Sequence, residues 1–188
     1  MVAALVLVAV AEAVSLLSRW RRPAPPPRMA RVPELALINR DGRTVRRGDL
    51  LGKPWVADFV FTHCAGSCPL LSARMARLDR ELPPGAARLV SVSVDPEHDT
   101  RQVLARYAAS FGASQRWLFL TGDRDQILRL SRDGFRLAVG GGGPTREPIL
   151  HSTRFVLVDR EGWIRRYYDA LDPAALAQLP GDLAALGD

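Results

Sequence analysis

Two cysteines, Cys64 and Cys68, constrain this 188-residue chain more than any other feature. They are the only cysteines in the sequence, they follow an apolar run over residues 55–61, and they precede a helical pattern. Side chains at positions i and i+4 of a helical turn lie about 6 Å apart. Such a pair suits a disulfide or two ligands of one metal ion, and two unrelated buried cysteines are the alternative. One pair cannot supply the several bridges of a disulfide framework.

The rest of the sequence alternates between strand and helix patterns. Short apolar runs predict strands, and apolar residues at three- and four-residue spacing predict helices. The predicted strands span residues 35–38, 55–61, 89–94, 117–120, 155–158 and 163–168. The predicted helices carry Leu71, Met75, Leu78 and Leu82, then Val103, Leu104, Tyr107 and Phe111, then Ile127 and Leu130, and a last helix spans residues 173–186. This order predicts an α/β fold, with a central mixed sheet flanked by helices on both faces.

The helix after the cysteines has a recognisable start. Ser67 is predicted as its N-cap, with Pro69 in the first turn. A cysteine at a helix N-terminus is favoured as the thiolate, because the free N–H groups and the helix dipole stabilise negative charge. We therefore expect both Cys64 and Cys68 to be activated as nucleophiles or as metal ligands.

The first 31 residues differ in composition from the rest. Residues 2–17 are apolar except for Glu12 and Ser15, which predicts a membrane anchor or signal-anchor helix over residues 1–18, although about 20 residues are needed to span a bilayer. A cleaved signal peptide and an ordinary helix are the alternatives. The arginines that follow would favour the cytoplasmic side. A start site assigned too far downstream would account for the short apolar span and for the missing basic region before it.

Residues 19–31 are predicted as an Arg/Pro-rich spacer, and residues 32–188 as the folded domain. The proline run over residues 23–27 favours a stiff extended segment, and a ligand for an SH3-type domain is the alternative.

The charge of the chain does not predict a nucleic-acid binder. The net charge is +6 and the pI about 10.3, but residues 1–31 carry +4 of that charge. The remaining +2 is spread over a region in which arginines alternate with acidic residues and form no basic stripe. We expect no nucleic-acid partner.

Histidines are the candidates for a third ligand. Two thiolates and one imidazole would select Cu(I) and tolerate Cu(II), whereas a structural zinc site needs four protein ligands. His63 belongs to a strand end and is expected to point away from Cys64, and His98 lies in an acidic turn that solvent surrounds. His151 precedes the strand at 155–158. If that strand adjoins the strand at 55–61, His151 falls beside the cysteine turn, and a hydrogen-bonded loop histidine is the alternative.

Four segments together resemble one family. They are Gly52-Lys53-Pro54, Phe61-Thr62-His63-Cys64-Ala65-Gly66-Ser67-Cys68-Pro69, Ser93-Val94-Asp95-Pro96-Glu97-His98-Asp99-Thr100 and His151-Ser152. Between about residues 35 and 168 the chain resembles the Sco/SenC family of membrane-anchored copper proteins, which have a thioredoxin-like fold and help to assemble the copper centre of cytochrome c oxidase. Thioredoxins usually carry two intervening residues between their cysteines, whereas this chain has three.

The resemblance implies roles for four residues. Cys64, Cys68 and His151 would be the copper ligands, and Asp95 would lie beside the metal or contact a partner. Turn formation and helix capping before Thr100 are the alternative for Asp95. Leu150 stands where the family often has an aspartate, and His98 stands where it often has a basic residue.

The resemblance also implies a function, a location and partners. We expect a metallochaperone that binds Cu(I) or Cu(II), is anchored in a bacterial inner membrane and faces the periplasm. Its expected partners are the copper-bearing subunit of cytochrome c oxidase, a thioredoxin-like reductant, and the membrane through the N-terminal segment.

Two other functions use the same cysteines. An enzyme, a thiol–disulfide oxidoreductase, would cycle Cys64 and Cys68 through a mixed disulfide without metal, and a peroxidase is a less favoured variant. A copper or redox sensor would signal by interaction and catalyse nothing. Loss of His151 would distinguish the metallochaperone from the oxidoreductase, because dithiol exchange does not need an imidazole ligand.

Overall fold

The computed structural model describes residues 24–64, 66–137 and 152–187, and it builds them around one mixed sheet of eight strands. The strands are β1 (Ala30–Arg31), β2 (Ala36–Asn39), β3 (Thr44–Arg46), β4 (Trp55–Val60), β5 (Arg88–Ser93), β6 (Trp117–Thr121), β7 (Arg154–Val158) and β8 (Trp163–Asp169). The helices are α1 (Arg47–Leu50), α2 (Cys68–Glu81), α3 (Arg101–Ser110), α4 (Arg124–Arg129), α5 (Pro173–Ala177) and α6 (Leu179–Leu186), and a π-helical turn spans Leu130–Gly134. The predicted N-terminal helix over residues 1–18 lies outside the described residues.

The sheet has the order β1-β8-β7-β4-β5-β6-β2-β3. Strands β4, β5 and β6 are parallel neighbours, and β7 runs antiparallel beside β4. All six residues of β4 are buried, as expected of a central strand covered on both faces. The strand at 155–158 thus adjoins the strand at 55–61, which was the condition for His151 to fall beside the cysteine turn.

Helices cover both faces of the sheet, as predicted. On one face, α2, α3 and α6 pack over a buried cluster that includes Leu71, Leu104 and Leu183. On the other face, α1 and α4 contribute Leu50 and Ile127 to a second buried cluster. Because β4 alternates its side chains between the two clusters, it is the strand to which both layers attach.

A turn and a helix start are each set by a single residue. The chain reverses between β2 and β3 at Gly42, whose φ of +91° strongly favours glycine, and Gly42 N–H donates to the Asn39 carbonyl at 2.8 Å. Asp123 caps α4 by accepting a hydrogen bond from Gln126 N–H at 2.8 Å.

Two helix predictions need correction. The segment over residues 173–186 forms two helices, because Pro180 has no N–H to donate to residue 176 and cannot extend one continuous helix. Ser67 does occupy the N-cap position of α2, but its side chain makes no capping hydrogen bond. Its backbone is already helical (φ −80°, ψ −20°), whereas side-chain capping requires an extended residue.

None of the helices described by the structure is long and apolar enough to cross a membrane.

Candidate metal and redox site

The cysteine turn connects the end of β4 to the start of α2. Cys64 lies in the turn and Cys68 is the first residue of the helix. The Cys64 backbone N–H donates to the Phe61 carbonyl at 3.4 Å, and the Gly66 N–H donates to the Cys64 sulfur at 3.4 Å. These two hydrogen bonds hold Cys64 within the turn.

The two sulfurs differ sharply in their exposure. The two sulfurs are not joined by a disulfide bond, Cys64 is half-buried, and Cys68 is only 1% exposed. Burial raises the pKa of the Cys68 thiol, and a hydrogen bond with Cys64 adds to the shift. The prediction that the helix N-terminus activates both thiols is therefore wrong for Cys68, because the loss of solvation outweighs the helix dipole. Reagents and partners reach the pair through Cys64.

Asp99 fastens the start of the cysteine turn to the end of β5. Its carboxylate is fully buried and accepts hydrogen bonds from the Thr62 backbone N–H at 3.1 Å, the Thr62 hydroxyl at 2.5 Å and the Ser93 hydroxyl at 2.6 Å. Thr62 is two residues before Cys64, so this clamp positions the turn. Asp99 lies within the segment 93–100, but no role was predicted for it from the sequence. The pattern that could have indicated a buried carboxylate is the regular spacing of acidic residues after a buried strand.

Replacing Asp99 by alanine is expected to lower the free energy of unfolding by about 2–4 kcal/mol, because three donors lose their buried acceptor. Urea denaturation measures the change. Asp41→Ala is the matched control, since the Asp41 carboxylate is exposed and accepts one bond from Arg43 N–H, so its loss should cost under about 1 kcal/mol. Equal losses in the two variants would contradict the clamp.

Asp95 lies at the same sheet end and is paired with a histidine. It is 7% exposed, and its carboxylate contacts His98 Nδ1 at 2.9 Å, which raises the pKa of His98. The Asp95 carbonyl also accepts the N–H of Asp99 at 2.9 Å and closes a turn, while Thr100, and not Asp95, caps α3. A role for Asp95 beside a metal stays a prediction.

The other two histidines differ in what the structure says of them. His63 is exposed, and its ring lies 6.1 Å from the ring of His98 between centroids. His151 lies outside the described residues. Arg154, the first residue of β7, lies at the sheet end where β4 finishes, because β7 is antiparallel to β4. The chain therefore enters β7 from the end that carries the cysteines.

The described residues supply only part of a metal site. Among them, no group of three His, Cys, Asp or Glu side chains is placed to hold one ion. Cys64 and Cys68 offer two sulfur donors on one turn, so a third ligand has to come from a residue outside the described ranges or from a partner.

Asp58 is a further ionisable group that sequence reasoning missed. It lies in the middle of β4, is fully buried, and accepts the Ser91 hydroxyl at 2.6 Å, while the Trp117 indole N–H donates to Ser91 Oγ at 2.9 Å. Its Oδ2 atom has no hydrogen-bond partner among the described residues. Burial raises the pKa of Asp58 to about 7, and its charge in turn disfavours the thiolate of Cys68. The signal was a single carboxylate inside the apolar run at 55–61.

Comparison with known proteins gives one family. The model of the SCO1/SenC family matches residues 25–179. A SCO1/SenC family lipoprotein from Bacillus anthracis is 30% identical, with a TM-score of 0.76 over 85% of this chain and 96% of that chain.

Two further solved structures are similar. BsSco, described as a Sco family member with a disulfide switch and as a cytochrome c oxidase assembly protein, is 29% identical, with a TM-score of 0.74 over 86% of this chain and 95% of that one. Arabidopsis thaliana ScoI with copper bound is 26% identical, with a TM-score of 0.69 over 83% of this chain and 98% of that one.

Proposed function

Since this chain belongs to the SCO1/SenC family, we propose that it is a metallochaperone that carries copper on Cys64, Cys68 and His151. The observation that carries the proposal is the pair of thiols where the cysteine turn enters α2, one half-buried and one buried. The recipient proposed is the copper-bearing subunit of cytochrome c oxidase. ScoI with copper bound supports copper as the cargo, and the oxidase assembly protein BsSco supports the oxidase as the recipient.

The donor set fits copper better than other metals. Two thiolates and an imidazole are soft to intermediate ligands, which select Cu(I) and also accept Cu(II). A closed structural zinc site needs four ligands, and the chain has two cysteines and three histidines in all. Binding displaces the thiol protons, so affinity falls as the pH falls.

Because the two sulfurs differ in exposure, copper enters and leaves the site by way of one of them. Copper arrives at and leaves from the half-buried Cys64, while the buried Cys68 is reached only through it. A recipient cysteine can replace Cys64 as a ligand before it replaces Cys68, so the metal is handed over by successive ligand exchange. Thioredoxin-like folds expose this turn at one end of the sheet, which suits a face-to-face transfer.

The same asymmetry favours a second candidate, a thiol–disulfide oxidoreductase. The Cys64 thiolate would attack a partner disulfide and release one partner thiolate. The Cys68 thiol would then lose its proton and attack Cys64, which releases the second partner thiolate and leaves the Cys64–Cys68 disulfide. A thioredoxin-like reductant would restore the dithiol. The disulfide switch described for BsSco supports this alternative.

The proposed location is the periplasmic face of a bacterial inner membrane, with residues 1–18 as the anchor. The spacer over residues 19–31 ends at β1, which pairs with Trp163 and Ile164 at the start of β8. That sheet end is opposite to the cysteine turn, so a tether there leaves the site facing away from the anchor. The B. anthracis relative is a lipoprotein, which agrees with attachment to a membrane.

Copper titration of the reduced protein tests the ligand set. We expect about one copper per wild-type chain, and a Cu(II) affinity at least about tenfold lower in His151→Ala, because removal of a ligand costs no less than removal of a group that orients one. His63→Ala is the matched control, since His63 adjoins Cys64 and is exposed. Equal losses in both variants would contradict the assignment, and retained disulfide exchange in His151→Ala alongside unchanged copper affinity would favour the oxidoreductase.

A further inference from the structure

A basic cleft lies at the sheet end opposite to the cysteines. It has a volume of about 370 Å³, and its polar lining includes Arg43, Lys53, Arg88, Arg116 and a single carboxylate, Asp49. Lys53 is two residues before β4, Arg88 begins β5, and Arg116 immediately precedes β6. The cleft is thus built where the three parallel strands start, whereas Cys64 lies beyond the point where β4 ends.

Two of the four cationic side chains that line the cleft are already held by hydrogen bonds within the domain. Arg116 is bound by the Asp79 carboxylate at 2.8 Å and by the carbonyls of Pro83 and Leu82. Arg88 Nη1 is held by the Leu50 and Leu51 carbonyls, each at 3.3 Å.

Arg43 and Lys53, in contrast, are exposed. No ion pair to either is found within the described parts of the chain. Asp49 accepts the Arg46 backbone N–H at 2.8 Å and is the one acidic residue that lines the cleft, while Asp41, whose carboxylate accepts the Arg43 N–H, lies near Arg43 outside the lining. The cleft therefore presents surplus positive charge that the fold does not neutralise.

The cleft shares its sheet end with the point at which the N-terminal segment joins the domain. Met29 N–H donates to the Ile164 carbonyl at 2.9 Å, and Gly52 N–H, beside Lys53, donates to the Arg160 carbonyl at 2.8 Å in the turn before β8. The six residues of β4 span about 20 Å at about 3.3 Å per residue, which separates this end from the cysteine turn.

We propose that the basic cleft binds the phosphate of an anionic phospholipid headgroup and so holds the domain with its cysteine turn away from the membrane. Arginine and lysine are the side chains that recognise phosphate oxygens, through a planar fork and a point charge respectively. The choice of a lipid over a soluble phosphate rests on the membrane tether of the proposed function, which brings this end of the domain to a negatively charged surface. The proposal also gives the Gly52-Lys53-Pro54 motif, which is not among the proposed copper ligands, a role in lipid binding.

The test uses the fact that Lys53 is the only lysine in the chain. The full chain is reconstituted in phosphatidylglycerol vesicles or in phosphatidylcholine vesicles and treated with an amine-acylating reagent, and Lys53 modification is followed by peptide mass spectrometry. The rates are compared at equal amounts of inserted protein, so a difference reports the headgroup. We expect acylation about fivefold slower with phosphatidylglycerol, and the protection to disappear in high salt.

Arg43→Glu should abolish the protection, whereas Arg106→Glu should retain it, because Arg106 has the same charge, is exposed on α3 and does not line the cleft. Equal acylation rates in the two vesicles would overturn the proposal. Equal protection by inorganic phosphate without vesicles would overturn the lipid assignment and identify a soluble phosphate ligand. Copper titration of the same samples separates the two proposals, since a failed cleft leaves copper binding by Cys64 and Cys68 intact.

Discussion

Replacing both Cys64 and Cys68 by serine is expected to reduce copper binding from about one ion per chain to none that survives desalting, for Cu(I) and Cu(II) alike. Serine hydroxyls stay protonated at neutral pH and are hard donors, so a single imidazole would remain as the only soft to intermediate ligand. The measurement is metal analysis of the reduced protein after removal of unbound copper. Full stoichiometry in the double variant would contradict the proposed site and with it the chaperone function.

The single variants sharpen this result. Cys64→Ser removes the accessible thiol, so capture of copper should slow as well as weaken. Cys68→Ser places a hydroxyl in a position only 1% exposed and is expected to cost about 1–3 kcal/mol of folding free energy. Cys68→Ala avoids the buried hydroxyl, and its loss of copper at unchanged thermal stability would separate ligation from folding.

The position of the cysteine pair could be predicted from the sequence because it depends only on neighbouring residues. Spacing and the following apolar stripe place Cys64 and Cys68 on one turn without knowledge of the tertiary structure. The burial of Cys68 is different, because it depends on the packing of α2 against β4 and β5. Periodicity indicates which face of a helix is apolar, but not how deeply its first residue sinks.

Buried carboxylates were the least predictable parts of the site. Asp99 is held by partners on two other segments, Thr62 and Ser93, and Asp58 is held by Ser91 on the neighbouring strand. The pairings of Thr62 with Asp99 and of Ser91 with Asp58 join residues more than 30 positions apart, and no spacing rule reports them. The mixed α/β class was predictable for the opposite reason, since alternating strands and helices show in local patterns and restrict the topologies that a chain can adopt.

The break between the last two helices at Gln178 shows that apolar spacing alone does not decide where a helix ends. The apolar spacing over residues 173–186 fits one helix, and Pro180 lies within that pattern. Proline at the first turn of a new helix costs nothing, because its missing N–H would be unpaired there in any case. The chain therefore starts α6 at Leu179 and keeps both apolar faces.

Asp58→Asn is expected to stabilise the protein at about pH 8 and to have little effect at about pH 5. Burial raises the folded-state pKa of Asp58 to about 7, whereas an unfolded aspartate titrates near 4. Between these values the folded state keeps a proton that the unfolded state has lost, so the free energy of unfolding falls as the pH rises. A shift of about 3 units corresponds to an upper bound of about 4 kcal/mol, and the unpaired amide of asparagine reduces the gain to about 1–3 kcal/mol.

Urea denaturation of both proteins across this pH range measures the difference, and subtraction removes the contribution of every other titrating group. Asp41→Asn is the matched control, because its effect on the free energy of unfolding is expected to change with pH in the opposite direction. The hydrogen bond from Arg43 N–H lowers the pKa of the exposed Asp41, so its contribution is present at neutral pH and is lost as the pH falls. A wild-type-minus-Asp58→Asn difference that stays constant with pH would show that the pKa of Asp58 is the same in the folded and the unfolded protein.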